Sequence, residues 1–242
     1  MNLIAKTLSD TAASIFSRTA EITAIVEHGP HFRTIELQGD AVKKAVWAPG
    51  HKLQVRTEPV GLSLRTYTPT AWDTATGTTR LLAYAHGNGP GSKWVMAAAL
   101  GDGCQFFGPR PSLKLDDLPD SMVFAGDETS FASLAAWSGT HPGHQPAVQV
   151  FEVDDPDESG RVLETLGLPP ACLITRQEDS SHLDELSRAV VDALSGRPDA
   201  TLCITGKAQT IARVRYELKS VGLGGRRSAV SAYWDQNRKG LD

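Results

Sequence analysis

The stretch VFAGDETSFASLAAW, residues 123–137, carries the pattern of a strand that leads directly into a helix. Its apolar start is typical of a buried strand, which we predict to end at Gly126, and a helix is predicted to begin near Thr129. A strand followed at once by a helix is the repeating unit of open α/β sheets. Because ligands of such sheets bind beyond the carboxyl ends of the strands, we expect this turn to lie near a binding site.

The chain after this turn repeats the alternation of strand and helix. Helical patterns cover residues 181–194 and 208–221, and a last strand ends in Tyr233 and Trp234. Three further apolar, β-branched runs between the helices are AVQVFEV (147–153), ACLITR (171–176) and TLCITG (201–206). Runs of this kind are typical of strands buried on both faces, so we predict a parallel sheet covered by helices.

The chain before this turn has a different texture, with short β-prone runs separated by Gly, Pro and Asp. These runs are AEITAIVEHG (20–29), FRTIELQG (32–39), HKLQVRT (51–57), LRTYTPT (64–70), TRLLAYAHG (79–87) and CQFFG (104–108). Repeated short strands with regular turns favour an antiparallel barrel, interrupted here by one helix over residues 92–100.

These patterns predict an N-terminal antiparallel β-barrel domain followed by a parallel-sheet α/β domain. An amphipathic helix is predicted over residues 1–18, the barrel over 19–115 and the α/β domain over 116–242. The boundary falls in KLDDLPD, residues 114–120, which is rich in acids and proline.

The bulk composition excludes several classes of protein. The 242 residues carry a formal net charge of −4, which gives no support to bulk binding of nucleic acid. The N-terminus lacks the apolar core of a signal peptide, and the best apolar run, WVMAAAL, is too short to span a bilayer. Three widely spaced cysteines suit reduced, buried thiols. We therefore expect a cytoplasmic protein without membrane insertion, and a monomer.

The run LRTYTPT combines a cation, an aromatic ring and three threonines. Strand alternation places Arg65 and Tyr67 on one face. A guanidinium fork suits a pyrophosphate, and a tyrosine ring can lie against a planar heterocycle. The alternative is an ordinary solvated face of a sheet, and this run by itself leaves both interpretations open.

The run AHGNGPGSKW, residues 85–94, passes from a strand through three glycines into a helix. Ser92 is a suitable N-cap, and Gly87, Gly89 and Gly91 allow a ligand to approach the backbone closely. The helix dipole favours an anion at this position. Turns also use glycine freely, so the run gains weight only in combination with Arg65 and Tyr67.

Other candidate sites are weaker. Asp127 and Glu128 would repel a phosphate placed on them, and they are also ordinary first-turn acids, so structural and binding interpretations both stay open. His141 and His144 lie in a Pro/Gly loop without a third ligand, so no metal site is predicted. The absence of a G-x-S-x-G motif leaves a hydrolase without support.

Taken in order, these motifs resemble the siderophore-interacting protein family, a branch of the ferredoxin-reductase-like flavoproteins. The motifs are RTYT (65–68), HGNGPGSKW (86–94), the Gly-Asp after Leu100, FFGP (106–109), FAGDETS (124–130) and the terminal AYW (232–234). The resemblance covers nearly the whole chain, from Thr19 to Gly240.

The resemblance implies FAD in the β domain and NADH or NADPH as electron donor at the α/β domain. Arg65 would hold a phosphate, Tyr67 would pack on the flavin, and Thr68 would hydrogen-bond near flavin N5. The residues assigned to FAD are Arg65, Thr66, Tyr67, Thr68, His86, Gly87, Gly89, Pro90, Gly91, Ser92, Thr129, Tyr233 and Trp234. The residues assigned to the nicotinamide nucleotide are Gly126, Asp127, Glu128, Gly206 and Lys207.

The implied activity is transfer of electrons from NAD(P)H through FAD to the ferric iron of a siderophore, which releases Fe(II). No side chain is predicted as catalytic, because the flavin carries the chemistry. Candidate charges for steering an anionic siderophore are Lys52, Arg56, Arg226, Arg227, Arg238 and Lys239. The alternatives are a general NAD(P)H:flavin or quinone reductase on the same scaffold and a non-catalytic siderophore- or flavin-binding protein.

The sequence departs from the family pattern at two places. The family commonly has an acid after the last core strand, where this chain has Lys207; together with Arg213 and Arg215 it is a candidate for the 2′-phosphate of NADPH. The Tyr-Thr motif is often followed by a cation in the family, whereas Pro69 and Thr70 follow here.

Overall fold

A computed structural model of the chain describes residues 17–59 and 63–235. The chain divides between Ser112 and Leu113 into two compact units, which we call the β unit and the α/β unit. Most of the predicted N-terminal helix lies outside the described residues, and Arg18 already starts a strand. Within the described ranges, no helix is long and apolar enough to cross a membrane.

The β unit is an antiparallel sheet with the strand order β4-β3-β7-β1-β2-β6-β5. Its strands are β1 (Arg18–Glu27), β2 (Phe32–Gln38), β3 (Lys52–Arg56), β4 (Leu64–Tyr67), β5 (Pro69–Asp73), β6 (Thr78–Tyr84) and β7 (Gly103–Arg110). Its helices are α1 (Asp40–Lys43) and α2 (Pro90–Ala97). Alternate residues of the strands are buried and form one core, in which Ile35, Leu53 and Phe106 are inaccessible to solvent.

Proline divides the run LRTYTPT into two strands, as the break of the ladder at Pro69 predicts. β4 pairs with β3 and ends at Tyr67, whereas Pro69 starts β5 and pairs with Leu81 of β6. Proline lacks the backbone N–H that a ladder needs and is tolerated at the first residue of a strand and in edge strands. Both conditions hold here, since β5 lies at the end of the strand order.

The α/β unit is a parallel sheet with the strand order β10-β9-β8-β11-β12. Its strands are β8 (Val123–Asp127), β9 (Val148–Val153), β10 (Cys172–Thr175), β11 (Leu202–Lys207) and β12 (Ser228–Trp234). Its helices are α3 (Phe131–Thr140), α4 (Pro156–Thr165), α5 (His182–Ser195) and α6 (Ala208–Ser220), with 3-10 turns at Leu115–Asp117 and Glu128–Ser130. The predicted order of a β domain and then an α/β domain is confirmed.

Helix α4 was missing from the sequence prediction. Asp155 caps it by accepting a hydrogen bond from the Glu158 amide at 2.9 Å, and Pro156 occupies its first position. Both are standard start signals of a helix.

Parallel strands end at one edge of the sheet, which we call the carboxyl edge. It brings together the last residues of β8, β9, β10, β11 and β12, that is Asp127, Val153, Thr175, Lys207 and Trp234. Aliphatic side chains of the sheet, α5 and α6 form the core below one face. The candidate ligand positions of the α/β unit are therefore at this edge.

Candidate functional site

In the β unit, Arg65 and Tyr67 lie on the inner face of the sheet. Arg65 pairs with Val55 and Tyr67 with Leu53, and both of those partners are fully buried. Directly paired residues of neighbouring strands share a face. The Tyr67 ring packs against the buried core of the β unit and Arg65 is half-buried, which does not fit an ordinary solvated face.

Helix α2 reaches the same two side chains through Gly91. A Cβ added at Gly91 would lie 3.1 Å from Arg65 Cγ and 3.3 Å from Tyr67 Oη. Trp94, one turn further along α2, packs against the Tyr67 ring with 5.5 Å between ring centroids. Burial raises the pKa of the Tyr67 phenol, and the Arg65 charge opposes this only in part. The glycine is thus needed for the close approach of the helix to β4.

The N-terminus of α2 is open to an anion. Gly89, not Ser92, is its N-cap, and no side chain of the described residues caps it; its first turn holds no acid. Ser92 instead donates a hydrogen bond to the His86 carbonyl at 2.6 Å and fixes the preceding loop. The predicted helix over residues 92–100 therefore begins two residues earlier, at Pro90.

The loop before α2 carries a stack of aromatic rings. His86 stacks on Tyr84 with 5.9 Å between ring centroids, and the His31 ring lies 6.0 Å from the Tyr84 ring at a tilt of 56°. His86 and Gly87 are exposed, and Gly87 has a φ of +65°. This loop keeps its predicted assignment to the cofactor.

The residues of the β unit fit the diphosphate of FAD. The fit rests on an uncapped helix N-terminus, a glycine that brings it onto β4, and the half-buried guanidinium of Arg65. One Nη of Arg65 donates to the Leu64 carbonyl at 2.6 Å, which holds the guanidinium beside the strand. Thr68 is buried between β4 and β5, and its predicted role at flavin N5 stays a prediction, as does that of Thr66.

In the α/β unit, the first βα turn is closed by its own carboxylate. Asp127 accepts hydrogen bonds from the amides of Thr129, at 2.9 Å, and Ser130, while the Ser130 hydroxyl accepts from the Asp127 amide at 3.2 Å. The other oxygen of Asp127 accepts from the Lys207 amide at 2.8 Å. The amides that a phosphate would need at this turn are therefore used internally.

Two glycines make this closure possible. A Cβ added at Gly206, where φ is +103°, would lie 2.6 Å from Asp127 Cγ. A Cβ added at Gly126 would lie 2.7 Å from the Thr205 carbonyl oxygen. Both glycines therefore serve close packing of the protein against itself, and the space beside them is filled by Asp127 and Ser130.

The aromatic pair of β12 is bound to the same turn. Trp234 Nε1 donates to Asp127 Oδ2 at 2.8 Å, and the hydroxyl groups of Tyr233 and Ser133 lie 2.6 Å apart. Lys207 Nζ lies 5.5 Å from the centroid of the Trp234 ring, a cation–π contact. Through Asp127 and Trp234, these contacts join the FAGDETS motif to the terminal AYW motif.

A buried charge network extends along the carboxyl edge, and sequence reasoning missed it. Glu152 is inaccessible to solvent and contacts His182 Nε2 at 2.7 Å and the Thr210 hydroxyl at 2.5 Å. Arg176 donates to Glu128 at 2.7 Å and also pairs with the half-exposed Asp154. The only sequence signal is the charge of Glu152 within the apolar run AVQVFEV.

Burial governs the protonation of this network. It raises the pKa of Glu128 to about 7, although the Arg176 charge acts in the opposite direction. It also raises the pKa of Asp127, against hydrogen bonds from Thr129 and Trp234. Because every described partner of Asp127 donates to it, the geometry suits the carboxylate form.

The residues predicted to contact the nicotinamide nucleotide are all buried within the α/β unit. Asp127 is fully buried, and Glu128 and Lys207 are 3% and 6% exposed; Gly126 and Gly206 are buried with them. Their assignment stays a prediction. The hypothesis that Lys207, Arg213 and Arg215 bind the 2′-phosphate of NADPH has less support, because Arg213 already pairs with two carboxylates. These are Asp184 and Glu217, at 2.8 Å each.

Of the predicted steering charges, several have structural partners. Arg56 donates to the carbonyls of Glu58 and Pro59 and to Gln105, and it lines a pocket of about 320 Å³. Arg226 donates to carbonyls near the end of α5, so it has a structural role that does not depend on a substrate. Arg238 and Lys239 lie outside the described residues.

Two of the three cysteines are buried as the sequence predicts. Cys104 and Cys203 are buried, which raises the pKa of each thiol to about 12, whereas Cys172 is exposed. His141 stacks on Trp137, and His144 pairs with Asp120.

Solved structures with the same fold include three siderophore-related proteins. A siderophore-interacting protein from Acinetobacter baumannii is 15% identical, with a TM-score of 0.71 and 92% of each chain covered. One from Aeromonas hydrophila is 17% identical, with a TM-score of 0.69 over 92% of this chain and 93% of that chain. A siderophore utilization protein from T. fusca is 20% identical, with a TM-score of 0.66 over 93% and 95%.

The ferredoxin-NADP+ reductase of Plasmodium falciparum shares the fold as well, at 12% identity and a TM-score of 0.66, with 90% of this chain and 96% of that chain covered. At these identities the likeness establishes the fold alone. No curated protein matches the chain.

Two family models match consecutive parts of the sequence. The siderophore-interacting FAD-binding domain matches residues 40–113, which include β4 and α2. The siderophore-interacting protein model matches residues 119–237, which include the carboxyl edge and β12. The chain therefore belongs to the siderophore-interacting protein family and carries that family's FAD-binding domain.

Proposed function

We propose that this protein is an FAD-dependent reductase that passes electrons from a reduced nicotinamide nucleotide to the ferric iron of a siderophore. One hydride supplies two electrons, which reduce two ferric ions, and each Fe(II) is then released because it binds hard oxygen ligands more weakly. Bound FAD supplies the conversion from a two-electron donor to a one-electron acceptor. The protein supplies binding and orientation.

The observation that carries the proposal is the cradle formed by Arg65, Tyr67 and the N-terminus of α2. Arg65 would donate charge-assisted hydrogen bonds to a diphosphate, and the amides of the first turn of α2 would donate to it as well. Gly91 lets these two sets of donors approach each other, since a side chain there would meet Arg65. Tyr67 is held by Trp94, so its ring offers a fixed apolar surface.

The substrate is the finer part of the proposal. An anionic ferric siderophore is attracted by cations; the exposed Arg227 and the half-buried Lys52 are candidates for this role, with Arg238 and Lys239 beyond the described residues. A cytoplasmic location is also proposed, supported by three cysteines that are free of disulfides.

The test combines a spectrum with turnover. The purified protein is expected to show flavin absorbance bands and, with NADH or NADPH, to form Fe(II) from a ferric siderophore faster than it reduces free flavin or a quinone. Preference for free flavin or quinone would favour the general reductase. Colourless protein that gains no flavin bands on addition of FAD would contradict any flavin-dependent activity.

A further inference from the structure

Three of the four helices that begin at the carboxyl edge of the α/β unit, α3, α4 and α5, carry the protein's own carboxylates at their N-termini, whereas α6 has no side-chain cap among the described residues and no acid in its first turn. Asp127 accepts the amides of the turn that leads into α3. Asp155 caps α4, whose first turn adds Asp157 and Glu158. These are the positions at which open α/β sheets bind the phosphates of nucleotides.

The two remaining helices meet a third carboxylate, that of Glu152. His182, the first residue of α5, lies 2.7 Å from Glu152, and Thr210 in the first turn of α6 donates to it at 2.5 Å. Glu152 is inaccessible to solvent and therefore occupies the space between these helix ends. The first turn of α5 also contains Asp184 and Glu185.

The nearby cations do not restore an anion site. Arg176 is bound by Glu128 and Asp154, and Lys207 is buried over the Trp234 ring. A phosphate at the turn into α3 or at the start of α4 would therefore meet carboxylates and amides that already have partners, and at the start of α6 it would meet the buried Glu152. The first βα turn in particular does not fit the diphosphate of a nicotinamide dinucleotide.

We propose that Asp127 and Glu152 are specificity-determining residues that keep phosphate groups away from the carboxyl edge. On this proposal, which rests on the proposed function for the identity of the donor, a reduced nicotinamide is accepted through its uncharged ring and ribose. Its phosphates contribute little to binding. The closing glycines Gly126 and Gly206 are part of the same device, because they let Asp127 fill the turn.

The direct test uses two donors that differ by one phosphate, reduced nicotinamide riboside and reduced nicotinamide mononucleotide. Their dissociation constants for the unaltered, FAD-loaded protein are measured by titration of donor fluorescence. We expect values within about threefold of each other, because no charge-assisted hydrogen bond to the phosphate is gained. Tighter binding of the mononucleotide by about tenfold or more would overturn the proposal.

A substitution of Asp127 tests whether its charge sets the relative affinity of the two donors. Asp127→Asn removes the charge and keeps an acceptor oxygen, so the mononucleotide is expected to gain about three- to tenfold in affinity relative to the riboside. Asp73→Asn is the matched control, because Asp73 caps a turn of the β unit by accepting from the Ala75 amide at 2.8 Å. If the Asp127→Asn variant folds and the ratio of the dissociation constants of the two donors is unchanged, Asp127 is not the determinant. If this variant does not fold, the donor pair on the unaltered protein decides.

Inorganic pyrophosphate gives a readout that needs no donor. Calorimetric titration of the FAD-loaded protein is expected to show no saturable binding, and binding that Lys207→Ala abolishes would contradict the proposal. If the protein takes up no FAD, the proposed function fails separately. In that case pyrophosphate is titrated into the Arg65→Ala variant, which lacks the other candidate anion site. This titration still tests whether the carboxyl edge binds pyrophosphate.

Discussion

The two units of this protein use the N-terminus of a helix in opposite ways. In the β unit, α2 begins at a glycine without a side-chain cap among the described residues, and Arg65 lies beside it. In the α/β unit, the turn into α3 is capped by Asp127, which is fully buried. The first arrangement offers donors to an external anion, and the second has already satisfied them.

The comparison also separates two uses of glycine. Gly91 lets α2, which no described side chain caps, approach Arg65, whereas Gly206 lets the backbone pack against Asp127. A count of glycines near a helix start therefore does not identify a phosphate site. Within the described part of the chain, the absence of a side-chain cap is shared by α2 and α6; what distinguishes α2 is the neighbouring Arg65, whereas α6 begins beside the buried carboxylate of Glu152.

The largest expected effect is that of Gly206→Ala. The new methyl group would collide with the Asp127 carboxylate at a residue whose φ is +103°, so we expect a loss of about 3–5 kcal/mol in the free energy of unfolding. Gly87→Ala is the matched control, since φ is +65° there and nothing lies within 4 Å of the added Cβ. Its cost should be about 1–2 kcal/mol, from the backbone alone. Equal losses in urea denaturation would refute the tight packing at Gly206.

The next effect is a dependence of the free energy of unfolding on pH, which arises from Glu128 of the α/β unit. The pKa of Glu128 is raised to about 7 in the folded protein, mainly by burial, and is about 4.3 in an unfolded chain. The folded state therefore keeps a proton that the unfolded chain loses between these values. The free energy of unfolding should fall by about 3–4 kcal/mol as the pH rises through this window, with the loss complete about one pH unit above the folded pKa.

Glu128→Gln isolates this contribution. Denaturation of the variant between pH 5 and pH 8 should lack the part of the slope that Glu128 produces, whereas Glu164→Gln, at an exposed position of α4, should retain it. A slope that survives in Glu128→Gln would assign the titration to another group of the network.

The smallest effect is expected at the loop before α2. Ser92→Ala removes the hydrogen bond to the His86 carbonyl and should lower the free energy of unfolding by about 1 kcal/mol. Ser187 is the matched control, because it is buried and its hydroxyl has no hydrogen-bond partner within the described part of the chain. Ser187→Ala should leave the free energy of unfolding nearly unchanged in thermal or urea denaturation, and an equal loss in both would remove the special role of Ser92.

Local sequence patterns predicted much of the fold because alternation and apolar runs act over a few residues. The four buried runs of the α/β unit became β8, β9, β10 and β11. The break at Pro69 was predictable, but the different partner strands of the two halves of the run were not, because pairing depends on residues distant in sequence. Helix α4 was missed although Asp155 and Glu158 form a recognisable start signal.

The candidate sites were less predictable, because their partners are distant in sequence. Arg65 and the glycine loop could be paired through the family resemblance, but the inner position of Arg65 follows from its register with Val55. The contacts of Glu152 with His182 and Thr210 span 30 and 58 residues. Only the folded sheet brings these residues together, so no local sequence pattern predicts the buried carboxylates at the carboxyl edge.

The central claim is that α2 and Arg65, rather than the carboxyl edge, provide the anion site for the cofactor. It is tested by the dissociation constant of FAD, measured by flavin fluorescence for Arg65→Ala and Lys207→Ala beside the unaltered protein. We predict that Arg65→Ala weakens FAD binding by about 100-fold, through loss of charge-assisted hydrogen bonds, while Lys207→Ala changes it by less than about threefold. Unchanged affinity in Arg65→Ala, or a larger loss in Lys207→Ala, would contradict the claim.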